Sequence, residues 1–205
     1  CEADNCAKPT LFFNQSTGAH GLAVDAQGVA LASPSANLVY AYPLRYAGTG
    51  QLLLSNLAQP TAVAVDATNV YFTTAAGHLY RCARSGCAGG AVLVGKGTAP
   101  GGALAVGDVF AVWGSLRTSP GAPSTEGFLQ QVAKSAVDGG VKTASFGRNP
   151  RTFVMNGSKL YWTATDGPSG YQGEVTYRPS ALEDTEFLCK TMLGDPWGVA
   201  IDDTH

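Results

Sequence analysis

The sequence contains few charged residues. They make up 14% of its 205 residues, against roughly 25% in an average domain. The formal net charge is −2, and lysine and arginine form no run. Because nucleic acids and anionic membrane surfaces are bound by clustered basic side chains, neither is an expected partner. No apolar run approaches the roughly 18 residues that a membrane-spanning helix needs, so no transmembrane segment is expected.

The sequence also lacks the short motifs of common enzymes. It contains no G-x-S-x-G, no H-E-x-x-H and no P-loop. Its three histidines, His20, His78 and His205, occupy unrelated positions of the repeat described next. We therefore predict no metal and no cofactor, and we favour a protein without catalysis.

Short alternating strands and turn residues are abundant, with 26 glycines and 11 prolines. Residues 61–74 read TAVAVDATNVYFTT, which predicts a strand, a turn beginning at Asp66 and a second strand. Related segments recur, and their turns begin at intervals of 41, 41, 49 and 46 residues. The five turn residues are Asp25, Asp66, Gly107, Asn156 and Asp202. A period of about 40 to 50 residues made of short strands predicts an all-β β-propeller, with one four-stranded antiparallel blade per repeat.

The repeats extend over the whole sequence and predict a single domain, 1–205. Four complete blades are expected, at 21–54, 61–95, 102–145 and 151–190. Residues 10–14 match a last strand and residues 198–202 a first strand. Four blades and two terminal single strands do not make an ordinary closed ring. The two terminal strands could share a fifth blade that lacks its middle strands, but we favour the interpretation that the chain is part of a longer propeller.

The first strands of the repeats alternate small and large apolar residues. Ala62 and Ala64 share one face, and Val63 and Val65 share the other, because side chains alternate along a strand. Blades converge at the axis of a propeller. We therefore expect the small face to lie in the crowded centre and the large face to pack on a neighbouring blade.

Two pairs of cysteines have the same C-x4-C spacing, and both lie in the same part of the repeat. They are Cys1 with Cys6 and Cys82 with Cys87. This shared position favours two small disulfide loops and hence an extracytoplasmic protein. The alternatives are free thiols or a metal site, although zinc needs about four ligands and no histidine lies near either pair. Cys1 could instead be the lipid-modified residue of a bacterial lipoprotein, which would exclude its disulfide.

Several segments resemble YWTD propellers. Residues 70–73 (VYFT) and 160–163 (LYWT) are similar to the second-strand motif, and residues 132–140 are similar to the third strand with its Asp-Gly turn. Ala164 departs from the motif, which has aspartate there. The C-x4-C turns resemble secreted TolB- and NHL-like repeat proteins of myxobacteria and related bacteria, which are often six-bladed. The resemblance implies an architecture and leaves the activity open.

Candidate binding residues lie in the loops that enter the first strands. In propellers these loops surround one mouth of the channel, so His20, Arg151 and Trp197 are predicted to line one rim, with Asp166 nearby. They offer a cation, a planar donor fork and a stacking surface. The repeated turn residues Asp25 and Asp66 are instead expected to bond to the backbone of their own turns.

These features favour a non-catalytic binding or interaction scaffold. Its partner would be a protein, or a small polar or carbohydrate ligand at the channel mouth. Two alternatives stay open: a metal-assisted hydrolase or lactonase-like enzyme, and a carbohydrate-binding propeller that uses Trp197 and Trp162.

Overall fold

The computed structural model describes residues 18–43, 50–87, 89–98, 101–116, 127–146, 149–165, 173–178, 186–193 and 199–201. The regular secondary structure of these residues consists of strands, which form four antiparallel sheets of four strands each. The predicted all-β architecture of four-stranded antiparallel repeats is therefore confirmed. No helix in these ranges could cross a membrane.

Each sheet is a meander whose strands pair in chain order. The first sheet contains β1 (Gly21–Asp25), β2 (Gly28–Ser33), β3 (Leu38–Pro43) and β4 (Gln51–Leu54). The second contains β5 (Pro60–Val65), β6 (Asn69–Thr74), β7 (His78–Ala83) and β8 (Val92–Lys96). The third contains β9 (Leu104–Val106), β10 (Phe110–Leu116), β11 (Gly127–Ala133) and β12 (Lys142–Phe146). The fourth contains β13 (Asn149–Asn156), β14 (Lys159–Thr165), β15 (Gly173–Arg178) and β16 (Glu186–Leu193).

Aspartates close the first hairpins of the first two sheets. Asp66 Oδ1 accepts hydrogen bonds from the backbone N–H groups of Thr68 at 2.9 Å and Asn69 at 2.8 Å. Asp25 Oδ1 accepts the equivalent pair from residues 27 and 28, at 2.9 and 3.1 Å. Because each carboxylate satisfies two donors that the turn leaves unpaired, it favours the tight connection. The predicted role of these two residues in their own turns is confirmed.

The sheets pack face to face in chain order, and their first strands lie next to one another. At each interface the small residues of one first strand contact the large residues of the next sheet. Ala64 packs in one cluster with Leu104, and Ala105 packs in another with Phe153. The expectation that the large face packs on a neighbouring blade is confirmed, since Val63 packs in one cluster with Ala30 and Ala32 of the first sheet. The small face, which was expected to face only the centre, packs on a neighbouring sheet as well. A strand between two sheets has neighbours on both faces, and alternating sizes let adjacent sheets interlock.

The interfaces bury large aromatic side chains almost completely. Trp113 and Phe72 have no exposed surface, and Trp162 retains 2%. Burying side chains of this kind stabilises a fold by about 1.5–3 kcal/mol each. The large face of β1 is different, because Leu22 and Val24 are 61% and 56% exposed. In the other sheets, the large face of the first strand contacts the small residues of the sheet before it. The large face of β1 would contact the small residues of a preceding sheet in the same way.

A disulfide joins Cys82, at the end of β7, to Cys87. The predicted Cys82–Cys87 disulfide is therefore confirmed. The second predicted pair, Cys1 and Cys6, lies outside the described residues. The loop between the two cysteines contacts the first sheet, because Gln51 Nε2 donates to the carbonyl of Ser85 at 3.1 Å. The disulfide therefore closes a turn that lies between two sheets.

Candidate functional site

A cavity of about 820 Å³ lies where the first strands of all four sheets begin. Its lining comes from residues 19–22, 61–63, 101–104 and 151–153, one segment from each sheet. The equivalent ends of four repeats thus surround one space. Such a concave site on a rigid scaffold is a typical place for a ligand.

His20 and Arg151 both line this cavity. His20 is exposed and precedes β1, where its backbone N–H donates to the carbonyl of Ala32 at 3.0 Å. Arg151 is half-buried in β13. The structure thus brings together two of the four predicted site residues. The other two, Trp197 and Asp166, lie outside the described residues.

Arg151 reaches the cavity from a β-bulge. The pairing of β13 with β14 shifts between Pro150 and Thr152, so Arg151 is the extra residue. A bulge bends its strand and re-aims a side chain, and bulges are frequent beside functional sites. The bulge also accommodates Pro150, since proline cannot donate to the ladder.

The second sheet has the same irregularity at the equivalent place. The register of β5 and β6 shifts between Pro60 and Ala62, which makes Thr61 the bulged residue. Thr61 also lines the cavity, and its hydroxyl lies 3.0 Å from that of Thr73. Sequence reasoning missed Thr61. The proline before both Thr61 and Arg151 was the signal that could have found it.

Two glycines in the cavity lining lie in close contact with the second sheet. A Cβ at Gly101 would lie 2.4 Å from the Cβ of Thr73 and 3.2 Å from Oγ1 of Thr61. A Cβ at Gly21 would lie 3.0 Å from the backbone of Ala62. A larger residue at either position would therefore require its neighbours to shift, and the two glycines allow the first and third sheets to approach the second closely at this end.

The cavity lining combines basic, hydroxyl-bearing and apolar side chains. His20 and Arg151 supply nitrogen donors, and Thr61 and Thr152 supply hydroxyls. No carboxylate occurs among the described residues of this lining. Leu22 contributes exposed apolar surface. This chemistry suits a ligand with an electron-rich polar group and an apolar part.

The other end of the first strands carries ion pairs that join neighbouring sheets. The guanidinium of Arg84, which follows β7, contacts both carboxylate oxygens of Asp25 on the first sheet. One repeat later, Lys134 Nζ lies 3.1 Å from Oδ2 of Asp66. Sequence reasoning did not anticipate these pairs, although both cations directly follow a third strand.

The two aspartates titrate at lower pH because of these contacts. Hydrogen bonding to Arg84 is the largest influence on Asp25 and lowers the pKa of its carboxyl group. Burial alone would raise the pKa of Asp66. The N–H groups of Thr68 and Asn69, together with Lys134 and Tyr71, outweigh burial and hold that pKa well below its usual range. Both carboxylates are therefore built into the fold as anions.

The ion pairs do not form a metal centre within the described part of the chain. No group of three or more histidine, cysteine, aspartate or glutamate side chains converges there. A second cavity, of about 370 Å³, lies beside Asp66, Asp108 and Lys134. Its lysine and its two carboxylates give it mixed charge, unlike the cavity at the other end.

No protein-family model matches this chain, and no curated protein matches it in sequence. Solved structures do match. A nidogen/laminin complex contains a chain that is 15% identical, with a TM-score of 0.64, over 87% of this chain and 67% of that chain. Virginiamycin B lyase from Staphylococcus aureus is 15% identical, with a TM-score of 0.59, over 85% of this chain and 56% of the lyase. The computationally designed Ika4 protein is 14% identical, with a TM-score of 0.55, over 82% of this chain and 98% of that chain.

The fold is a β-propeller. The resemblance to YWTD propellers is supported at the level of the fold, since identities of 14–15% indicate architecture alone. This chain spans little more than half of the lyase, so the number of blades and the closure of the ring stay predictions. The same holds for the relation of the C-x4-C turns to myxobacterial proteins.

Proposed function

We propose that this β-propeller is a non-catalytic binding module and that its ligand occupies the cavity at the start of the first strands. The main observation in support is that His20 and Arg151, which are 131 positions apart in the sequence, line one cavity with the bulged residue Thr61. Three different sheets contribute these polar side chains to one concave surface. A binding site explains this arrangement better than a structural role, because packing needs no polar groups there.

An extracytoplasmic location is the second part of the proposal. The Cys82–Cys87 disulfide supports it, because such bonds persist in oxidising compartments. The predicted Cys1–Cys6 disulfide would add to this support. Mass spectrometry of unreduced protein checks both, and alkylation of all five cysteines without reductant would argue against an extracytoplasmic setting.

A protein partner at the cavity mouth is the third part of the proposal. Two of the similar structures are assemblies, the nidogen/laminin complex and the Mitotic Checkpoint Complex. The loops at the cavity mouth would form the contact surface, since loops on a rigid scaffold commonly carry recognition. Carbohydrate is the alternative ligand, and a glycan array with no binding at high protein concentration would remove it.

The alternative class is an enzyme, and the observation that favours it is the structural match to virginiamycin B lyase. A metal-assisted hydrolase or lactonase-like enzyme would need a resident metal. Metal analysis of the purified protein separates the two classes. Calcium or zinc at one equivalent per chain would favour the enzyme, whereas a metal-free protein that binds ligand would favour the binding module.

A fragment screen with ¹⁵N-labelled protein tests the proposed site. Equal numbers of anionic, neutral and cationic fragments would be used, and binders should shift the amide signals of Thr61, Gly102 and Thr152. Leu22→Trp should block the cavity, because Leu22 lines it and is exposed. Leu52→Trp is the matched control, since Leu52 is 47% exposed on β4 and does not line the cavity. Shifts that survive Leu22→Trp, or that map elsewhere, would overturn the proposed site.

A further inference from the structure

We propose that the Cys82–Cys87 disulfide makes the ion pair between the first two sheets sensitive to redox conditions. In the oxidised protein the closed loop, residues 82–87, holds Arg84 against Asp25. Reduction of the bond releases this contact. The loop lies at the end of the sheets opposite the large cavity, so the inference is independent of the ligand proposed there.

Side-chain hydrogen bonds join the loop to the first sheet. Arg84 Nη2 donates to Asp25 Oδ1 at 2.9 Å, and Nη1 donates to the other carboxylate oxygen. The carbonyl of Ser85 accepts a hydrogen bond from Gln51 Nε2 at 3.1 Å. Among the described residues, no backbone–backbone hydrogen bond joins residues 83–87 to the first sheet. The attachment therefore depends on side chains that must be held in place.

The third sheet has an equivalent turn that begins in the same way. The backbone N–H of Arg84 donates to the carbonyl of Thr68 at 3.0 Å, and that of Lys134 donates to the carbonyl of Val109 at 2.9 Å. Each cation then reaches the aspartate that closes the first hairpin of the sheet before it. The two turns therefore make the same contact at successive boundaries between sheets.

The turn of the third sheet is fixed to its neighbour by the backbone. The N–H groups of Asp138 and Gly139 donate to carbonyls of β8, both at 2.8 Å. Val132 and Val137 stand at the positions that correspond to the two cysteines. In the second sheet the disulfide thus takes the place of these backbone bonds. A turn that is held by a disulfide is released by reduction, whereas a turn that is held by backbone bonds is not.

Cys87 is the more accessible end of the bond. It is half-buried and lies close to the exposed residues 89 and 90, whereas Cys82 is only 4% exposed. The thiolate of a small dithiol attacks Sγ of Cys87, and Sγ of Cys82 leaves and takes up a proton. The second thiolate of the dithiol then displaces Sγ of Cys87, which is protonated in turn. The protein gains two thiols, and the dithiol is oxidised to its cyclic disulfide.

Reduction should weaken the ion pair because it restores freedom to the residues that carry Arg84. Holding a long side chain in one geometry costs conformational entropy, and a closed loop reduces this cost. The hydrogen bond from Arg84 lowers the pKa of Asp25, so a loosened pair should move that pKa back towards its ordinary value. Asp25 Oδ1 also accepts the N–H groups of Gln27 and Gly28, so these two reporter amides respond to the state of the carboxylate.

Hydrogen exchange of ¹⁵N-labelled wild-type protein, with and without dithiothreitol, tests the inference. In reduced protein the amides of Gln27 and Gly28 should exchange about tenfold faster, because a hydrogen bond to a charged group is worth about one decade. The amides of Asp138 and Gly139 are the internal control, since they bond to the second sheet in the turn without cysteines. Their exchange should not change. An NMR titration of the carboxyl groups should show Asp25 titrating at higher pH after reduction.

Variants assign the effect to Arg84 and to this disulfide. Arg84→Met should make the reporter amides insensitive to reduction, because the contact that reduction releases is already absent. Lys134→Met is the matched control, since Lys134 pairs with the aspartate of the next sheet, and it should keep the response of the wild type. Protein with Cys1→Ser and Cys6→Ser should also respond like the wild type, which excludes the other predicted cysteine pair as the cause.

Several outcomes would overturn the inference. One is unchanged exchange of the reporter amides in protein that mass spectrometry shows to be reduced at Cys82 and Cys87. Another is a loss of protection throughout the protein, because the disulfide would then support the whole fold and not this one contact. Failure of dithiothreitol to reduce the bond in native protein, or an equal acceleration in Arg84→Met, would also contradict it. The comparison of the two redox states of wild-type protein needs no variant to fold.

Discussion

Asp25 and Arg84 are paired across the boundary between the first two sheets. Arg84 Nη2 donates to Asp25 Oδ1 at 2.9 Å, and Nη1 donates to Oδ2. Nη1 also donates to the backbone carbonyl of Asp66 at 3.1 Å. Arg84 lies inside the loop closed by the Cys82–Cys87 disulfide. One guanidinium, held by a covalent loop, thus joins the hairpin turns of two neighbouring sheets.

Arg84→Met should lower the free energy of unfolding by about 1–3 kcal/mol, because it leaves a partly buried carboxylate without its cation. The side chains of Arg84 and Asp25 are only 13% and 30% exposed, so water screens the pair weakly. Urea denaturation measures the loss. A double-mutant cycle with Asp25→Asn isolates the pair itself.

The control for this prediction is the pair of Lys96 and Asp138, whose atoms lie 2.8 Å apart. Those side chains are 58% and 52% exposed, so Lys96→Met should cost no more than about 0.5 kcal/mol. An equal loss at Arg84 and Lys96 would show that the contact between the first two sheets is no stronger than an ordinary surface pair.

Acid should destabilise the protein through Asp66. The pKa of Asp66 is lowered in the folded state, so its contribution is complete above the unfolded pKa of about 3.9 and is lost as the pH falls below that value. The free energy of unfolding should therefore decrease from pH 5 to pH 2. In Asp66→Asn this decrease should be smaller, and at pH 7 the variant should be less stable by about 1 kcal/mol for each hydrogen bond lost.

Ligand binding should not change in Asp66→Asn or in Asp66→Ala. Thr61 lies near the start of β5 and Asp66 directly follows its end, so the two are five residues apart, or about 16 Å in an extended strand. Thermal melts across the pH range and a ligand titration at pH 7 check both statements. An unchanged melting temperature with a loss of binding would make the repeated aspartates a site instead.

Removing the Cys82–Cys87 disulfide should lower the free energy of unfolding by about 2 kcal/mol, as expected for a loop this short. The double variant Cys82→Ala, Cys87→Ser tests this by urea denaturation. Cys82 is buried in the interface between the first two sheets, so part of the loss will come from packing. A reducing agent added to wild-type protein separates the two effects, because it breaks the bond and keeps both side chains.

Sequence reasoning located the sheets because their signals are local. Alternation of Val63 and Ala64 along a strand and the turn at Asp66 depend on neighbouring residues, and the repeat multiplied each signal. The contacts between sheets were beyond this reasoning. Asp25 meets Arg84 because two sheets stack at a particular offset, and no spacing in one repeat reveals that offset.

The candidate site was predicted in part for the same reason. Equivalent positions of a repeat lie at the same end of the structure, so His20 and Arg151 could be placed together by counting. The bulge that turns Thr61 into the cavity depends on a register shift after Pro60, which alternation alone does not show. The exposed Leu22 was missed because the large face of β1 was expected to be covered.

Gly101→Ala should destabilise the protein and narrow the cavity. The added methyl group would lie 2.4 Å from the Cβ of Thr73, so the strands of the second and third sheets must separate. Overpacking of this kind typically costs about 1–3 kcal/mol. Gly140→Ala is the matched control, because nothing lies within 4 Å of its added Cβ, and it should change stability by less than about 1 kcal/mol. Thermal melts of both variants, with fragment binding followed at the amide of Thr61, check the prediction. Equal stability of the two variants would mean that the close approach of Gly101 to Thr73 does not hold the cavity wall.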